Sequence, residues 1–133
     1  MSMLRLTSTI IGLTIAAAAS ADPRTTNDAV YSKAQAKVGE QLYKDQCLIC
    51  HDKKYFRPVF KAWDGQSLGV FNTVMSASMP ESNPGALPQK DYVDILAYIL
   101  SLNRYPAGDG DLSDENGALS EITIAQRKSA SAK

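Results

Sequence analysis

Five consecutive residues, Cys47-Leu48-Ile49-Cys50-His51, place two thiols and an imidazole at a spacing that can do chemistry. Cysteines three apart fall on one side of a helical turn, from which both sulfurs can reach the two vinyl groups of a single porphyrin. The histidine that follows is carried beneath the iron, where its neutral imidazole is a good axial ligand. Cys-x-x-Cys-His is the pattern by which c-type haem is attached. His51 is the only histidine among the 133 residues, and it stands where the pattern requires one.

Rival chemistries for the same residues find less support. A thioredoxin-like dithiol wants a strand–helix–strand context, whereas the residues around Cys47 show helical periodicity with no strand run on either side. Zinc needs four ligands, and two cysteines with one histidine could reach that number only by adding a carboxylate. A disulfide between Cys47 and Cys50 stays open in an oxidising compartment, although so short a loop gains little from closure.

The length suggests one domain with a modest core. Met1 to Ala21 reads as a leader: one basic residue, Arg5, an apolar run from Leu6 to Ala19, then Ala19-Ser20-Ala21 as a small-x-small cleavage pattern. The apolar run is short and alanine-rich for a membrane span, so an uncleaved anchor is the lesser reading and no span is expected in the mature chain. Cleavage after Ala21 would leave 112 of the 133 residues and shift the balance from 14 basic and 14 acidic to 13 and 14, a net charge of −1. That balance argues against a nucleic-acid partner. The leader makes a periplasmic address the natural reading.

The elements that must position the motif can be read in order. Residues 22–31 are expected to be a flexible arm. Ser32 can cap a helix in which Ala34, Val38, Leu42 and Tyr43 recur at helical intervals up to Cys47. Gly39 within that helix suggests a close crossing by another element. The aromatic stretch from Tyr55 through Trp63, interrupted by Pro58, reads as an irregular segment. Ser67 can cap a second helix with Leu68, Phe71 and Val74 or Met75 inward, ending near residues 76–78. A loop containing Met79-Pro80 and Asn83-Pro84-Gly85 follows. Pro88 to Asn103 is the strongest helix, with Asp91 in its first turn and Tyr92, Ile95, Leu96, Ile99 and Leu102 on one face. Residues 32–108 thus form the expected domain. In the extension 109–133, Leu112, Leu119, Ile122 and Ile124 are expected to pack back, and residues from Gln126 onward to be disordered.

Together these pieces resemble the class I c-type cytochromes, in particular small bacterial mono-haem domains found alone or beside periplasmic dehydrogenases. The resemblance spans residues 34–108 and rests on Gly39-x-x-x-Tyr43, Cys47-x-x-Cys50-His51, Met79-Pro80 with Asn83-Pro84-Gly85, and Tyr92 to Leu100. It implies an all-α cytochrome c fold of three to four short helices wrapped around one covalent haem, with the N- and C-terminal helices crossing. It implies thioethers at Cys47 and Cys50, His51 as proximal and Met79 as distal iron ligand, and Gly39 and Tyr43 meeting the last helix near Ala97 and Tyr98. Pro58, by similarity, would offer its carbonyl to the second nitrogen of His51. Arg57, Trp63 and Tyr55 are candidate donors to the haem propionates. Lys53, Lys54 and Lys61 are candidates for steering an acidic partner.

Met1 and Met3 leave with the leader, so Met75 and Met79 are the thioethers that compete for the iron. Met75 stands at helical spacing from Phe71 and reads as core, whereas Met79 sits in a loop before proline. Iron held by histidine and methionine has no open position, which favours electron transfer over catalysis at the metal. The expected role is a non-enzymatic periplasmic one-electron carrier, with a dehydrogenase or quinol-oxidising complex as donor and an oxidase or reductase as acceptor. A dedicated cytochrome subunit of a quinoprotein-type dehydrogenase is the alternative, and a peroxidase or gas sensor with displaceable Met79 a more distant one.

Overall fold

The computed structural model describes residues 23–128, so the leader expected at 1–21 lies outside the described residues. The fold is mostly helical. In chain order it runs β1 (Arg24–Thr25), α1 (Lys33–Gln46), α2 (Phe56–Ala62), α3 (Leu68–Ser78), α4 (Gln89–Leu102), a kinked 3-10 segment (Glu115–Glu121) and β2 (Ile122–Thr123). Among the described residues no helix is long and apolar enough to cross a membrane.

Ser32 starts α1 as expected, its hydroxyl accepting from the Gln35 amide at 3.0 Å and so satisfying one of the donors a helix start leaves free. The buried face of α1, however, is Gln35, Ala36, Gly39 and Tyr43. Ala34 lies outside, and Val38 is 52% exposed. The reason is the crossing itself. A Cβ built on Gly39 would stand 1.8 Å from the Asp94 carbonyl oxygen of α4, so the inner stripe of α1 must be made of small residues there. The crossing falls at Asp94 and Ile95, a turn earlier in α4 than Ala97 and Tyr98, while Tyr43 does meet Tyr98 edge-on with ring centroids 5.3 Å apart.

In α4, every residue from Tyr92 to Leu100 is buried, as befits a helix covered on all sides. It stops in a Schellman arrangement, with Tyr105 donating to the Leu100 carbonyl at 3.2 Å and Arg104 to that of Ser101 at 2.9 Å. The stretch read as irregular contains α2 instead. Pro58 falls in its first turn, where a missing amide costs nothing, and Phe56 and Phe60 bury its inner side. Ser67 caps α3 as expected, accepting from Val70 at 3.1 Å.

Both ends of the described segment carry packed residues, which corrects two expectations. The supposed arm buries Thr26, Val30 and Tyr31 and pairs in parallel with the tail, Arg24 beside Ile122 and Thr25 beside Thr123. Leu112, Leu119, Ile122 and Ile124 are buried as expected. Gln126 and Lys128, expected to be disordered, are tied to Asn27 at 3.0 Å each. Backbone polar groups explain the docking: Gly65 donates to Ile124, and Ile124 to Gln66, each at 2.8 Å, so the tail completes hydrogen bonds of the turn before α3.

Gly39→Ala forces a methyl into the α1–α4 backbone contact and should cost at least about 2 kcal/mol. The urea midpoint of the variant measures this, and an unchanged midpoint would mean that the helices do not pass this closely.

Candidate functional site

Cys47 ends α1, its amide bonded to the Tyr43 carbonyl at 2.9 Å. The chain then coils once more. Cys50 and His51 both donate to the Cys47 carbonyl, at 3.1 and 2.9 Å, which closes one tight turn and leaves all three residues on the wall of one cleft. The fully buried Tyr43 reaches the same turn and donates to the carbonyls of His51 at 2.9 Å and Asp52 at 3.2 Å. Asp52 in turn accepts from the amides of Lys54 and Tyr55, at 2.6 and 2.9 Å, and turns the chain into α2.

The His51 ring lies 4.2 Å from Tyr55 and 5.9 Å from Phe56, centroid to centroid. Its Nδ1 is buried and has no hydrogen-bond partner. Cys47 is half-buried, Cys50 exposed, and both are free thiols. Burial pushes the Cys47 thiol up to about 11, which keeps it protonated and a poor nucleophile at neutral pH.

Across from the motif, Met79 forms the C-terminal cap of α3, its amide on the Met75 carbonyl at 2.8 Å. The Tyr92 hydroxyl, at the start of α4, donates to the Met79 carbonyl at 2.6 Å. Between the two walls lies a cleft of about 660 Å³, within the range of about 300–1,000 Å³ typical of small-molecule sites. Cys47, Cys50, His51 and Met79 all line it, over a floor that includes Phe71, Ile95 and Ile99.

The other expected site residues separate into two groups. Trp63 and Tyr55 line the cleft, Trp63 packed edge-on against Phe71 at 5.1 Å. Arg57 and Pro58 do not line it. Pro58 is exposed and makes no bond to His51, whose Nδ1 stays unpaired. Arg57 opens instead into a separate hollow shared with Lys61 and Arg104. The cause is the helical phase of α2: Phe56 and Val59 face inward with Trp63, which turns Arg57, Pro58 and Lys61 outward. Met75 also lines the cleft while packing against the core. Lys53 is drawn towards Glu40 at 3.9 Å.

Tyr92 and Tyr43 are the residues that the sequence did not single out for these tasks. A tyrosine on an apolar helix face signals that its hydroxyl needs a partner, but nothing in the sequence says which carbonyl receives it. Among the described residues no cluster of three or more His, Cys, Asp or Glu side chains could hold a metal ion. The lining instead suits a flat, mostly apolar prosthetic group anchored through two thiols, with an imidazole and a thioether available as neutral donors. No family model, curated protein or solved structure matches the chain.

Tyr92→Phe removes the bond to the Met79 carbonyl and should lower stability by about 1 kcal/mol. Chemical denaturation checks it, and equal stability would show that the hydroxyl does not hold this loop.

Proposed function

We propose that the chain is an exported one-electron carrier holding a single haem c through thioethers at Cys47 and Cys50, with His51 and Met79 as axial ligands. The observation that carries this reading is the convergence of those four residues, drawn from the end of α1 and the end of α3, on one apolar cleft. Haem bound there supplies a reversible ferric–ferrous couple. The chain's own part is to attach, to orient and to keep water out. Tyr43 fastens the carbonyl of His51, and Tyr92 that of Met79, so both donors rest on the buried helix pair. Phe71, Ile95 and Ile99 make the floor apolar, which favours a site that changes little with charge state. His51 and Met79 would both serve haem as neutral donors and so would leave no place for a substrate at the iron, which is why a carrier is preferred to an enzyme. The leader pattern at residues 1–21 supports a periplasmic location, and the partners would be a periplasmic dehydrogenase or quinol-oxidising complex on one side and an oxidase or reductase on the other.

A pyridine haemochrome spectrum with an intact mass tests attachment. The expected product has lost residues 1–21 and gained one covalent haem; two free thiols on protein purified from a haem-competent host would sink the proposal. The choice of thioether is tested separately. Met79→Ala should abolish the weak sulfur-to-iron absorption at the red end of the oxidised spectrum, and Met75→Ala should leave it in place. The opposite result would assign the iron to Met75.

A further inference from the structure

Beside α2, and sharing no lining residue with the cleft, lies a hollow of about 250 Å³, floored by the buried rings of Phe60 and Tyr105. Three separate stretches of chain bring cations to it: Arg57 and Lys61 from α2, Arg104 from the end of α4, and Arg127 from the tail. No carboxylate is among its lining residues, and the acid acting on its Tyr105 floor is Asp64. The whole chain carries 14 basic and 14 acidic residues, so four cations without an acid is an uneven local distribution. Among the described residues none of the four is in an ion pair, those present engaging Lys44, Lys53 and Lys90.

Ordinary surface charge does not account well for this arrangement. Arg57 and Lys61 stand at i and i+4, where like charges repel along a helix. Arg104 occupies a left-handed position, φ 62°, at the residue after the α4 cap, where glycine is the unstrained choice. A cation there is favoured by the carbonyl end of α4, as Lys61 is in the last turn of α2, which explains two charges and leaves Arg57 and Arg127. The Tyr105 hydroxyl is already spent on the Ala125 carbonyl at 2.7 Å, so the free polar groups around the hollow are those of its walls. Guanidinium groups lining a small concave space can bind an oxyanion through charge-assisted hydrogen bonds.

We propose that this hollow is a binding site for a small multivalent oxyanion of the phosphate or sulfate class. The site stands apart from the cleft and does not depend on what the cleft holds.

The test is calorimetric titration of the purified full-length protein with sodium phosphate and with sodium sulfate, against sodium chloride at matched ionic strength. Saturable binding of one phosphate or sulfate per chain, with no such signal from chloride, is expected. Arg104→Gly removes one guanidinium and relieves the left-handed strain, so it should melt no lower than the parent yet bind at least about tenfold more weakly. Arg127→Gln, in the exposed tail, should weaken binding similarly, whereas Lys53→Gln, outside the hollow, should bind as the parent does. Heat that only follows ionic strength, or unchanged affinity in both Arg104→Gly and Arg127→Gln, overturns the proposal.

Discussion

The α1 backbone at Gly39 passes so near the Asp94 carbonyl that no side-chain carbon fits between them, and the rest of the molecule is placed from that contact. It brings Tyr43 against Tyr98 and lets the Tyr43 hydroxyl reach the turn that carries His51. With about 100° between successive helix residues, Asp94 and Tyr98 share the face of α4 that meets α1, whereas Tyr92, Ile95 and Ile99 share another. That other face is the cleft side. One helix, buried all round, therefore acts as a spine with the crossing on one flank and the cleft on the other.

So tight a crossing carries a buried carboxylate, and its partners tie three parts of the chain together. Asp94 accepts from Gln35 of α1 at 3.0 Å and from the exposed ammonium of Lys90. Gln35 also exchanges two hydrogen bonds with the backbone of Leu112, at 2.8 and 2.7 Å, so its amide is satisfied on both sides. An unpaired carboxylate in that position would be costly. The tail is thus held by polar pairing where it passes the crossing, and by burial of Leu119, Ile122 and Ile124 beyond it. Four short helices around an open cleft bury little apolar surface between themselves; the segments 24–31 and 112–124 supply a second layer, pressed so closely on α3 that Gly69 has Ser120 where a side chain would go.

What could be read from the sequence depended on whether a feature has a local signature. Ser32 and Ser67 announce helix starts because a hydroxyl before a helical run has one clear use, and the apolar stretch from Tyr92 to Leu100 announces a buried helix by composition alone. The inner face of α1 escaped, since a stripe built on Gln35, Ala36 and Gly39 carries no hydrophobic signal and its logic lies in a helix more than fifty residues away. The α2 helix escaped because seven residues hold less than two full turns of period and Pro58 reads as a breaker. The same shortness misplaced Arg57 and Pro58: their side of the helix is decided by which rings bury, Phe56 and Phe60, and not by their own chemistry. Strands of two residues have no pattern to detect, so the pairing of Arg24–Thr25 with Ile122–Thr123 leaves no sign in the sequence.

The two candidate iron donors are restrained by the same device. In each case a tyrosine hydroxyl from the buried helix pair donates to the carbonyl of the donor residue itself, Tyr43 to His51 and Tyr92 to Met79. A bond to the carbonyl holds the backbone and leaves the side chain its full donor capacity. Neither tyrosine competes for the imidazole or the sulfur. For a carrier this matters more than for a catalyst, because a redox centre exchanges electrons readily when its ligands keep their positions in both charge states. The cleft adds to this by its apolar floor, which disfavours charged neighbours, as the raised Cys47 thiol already shows. The unpaired Nδ1 of His51 is the one point at which the arrangement leaves a donor ring without a fastening of its own, and orientation there falls to packing against Tyr55 and Phe56.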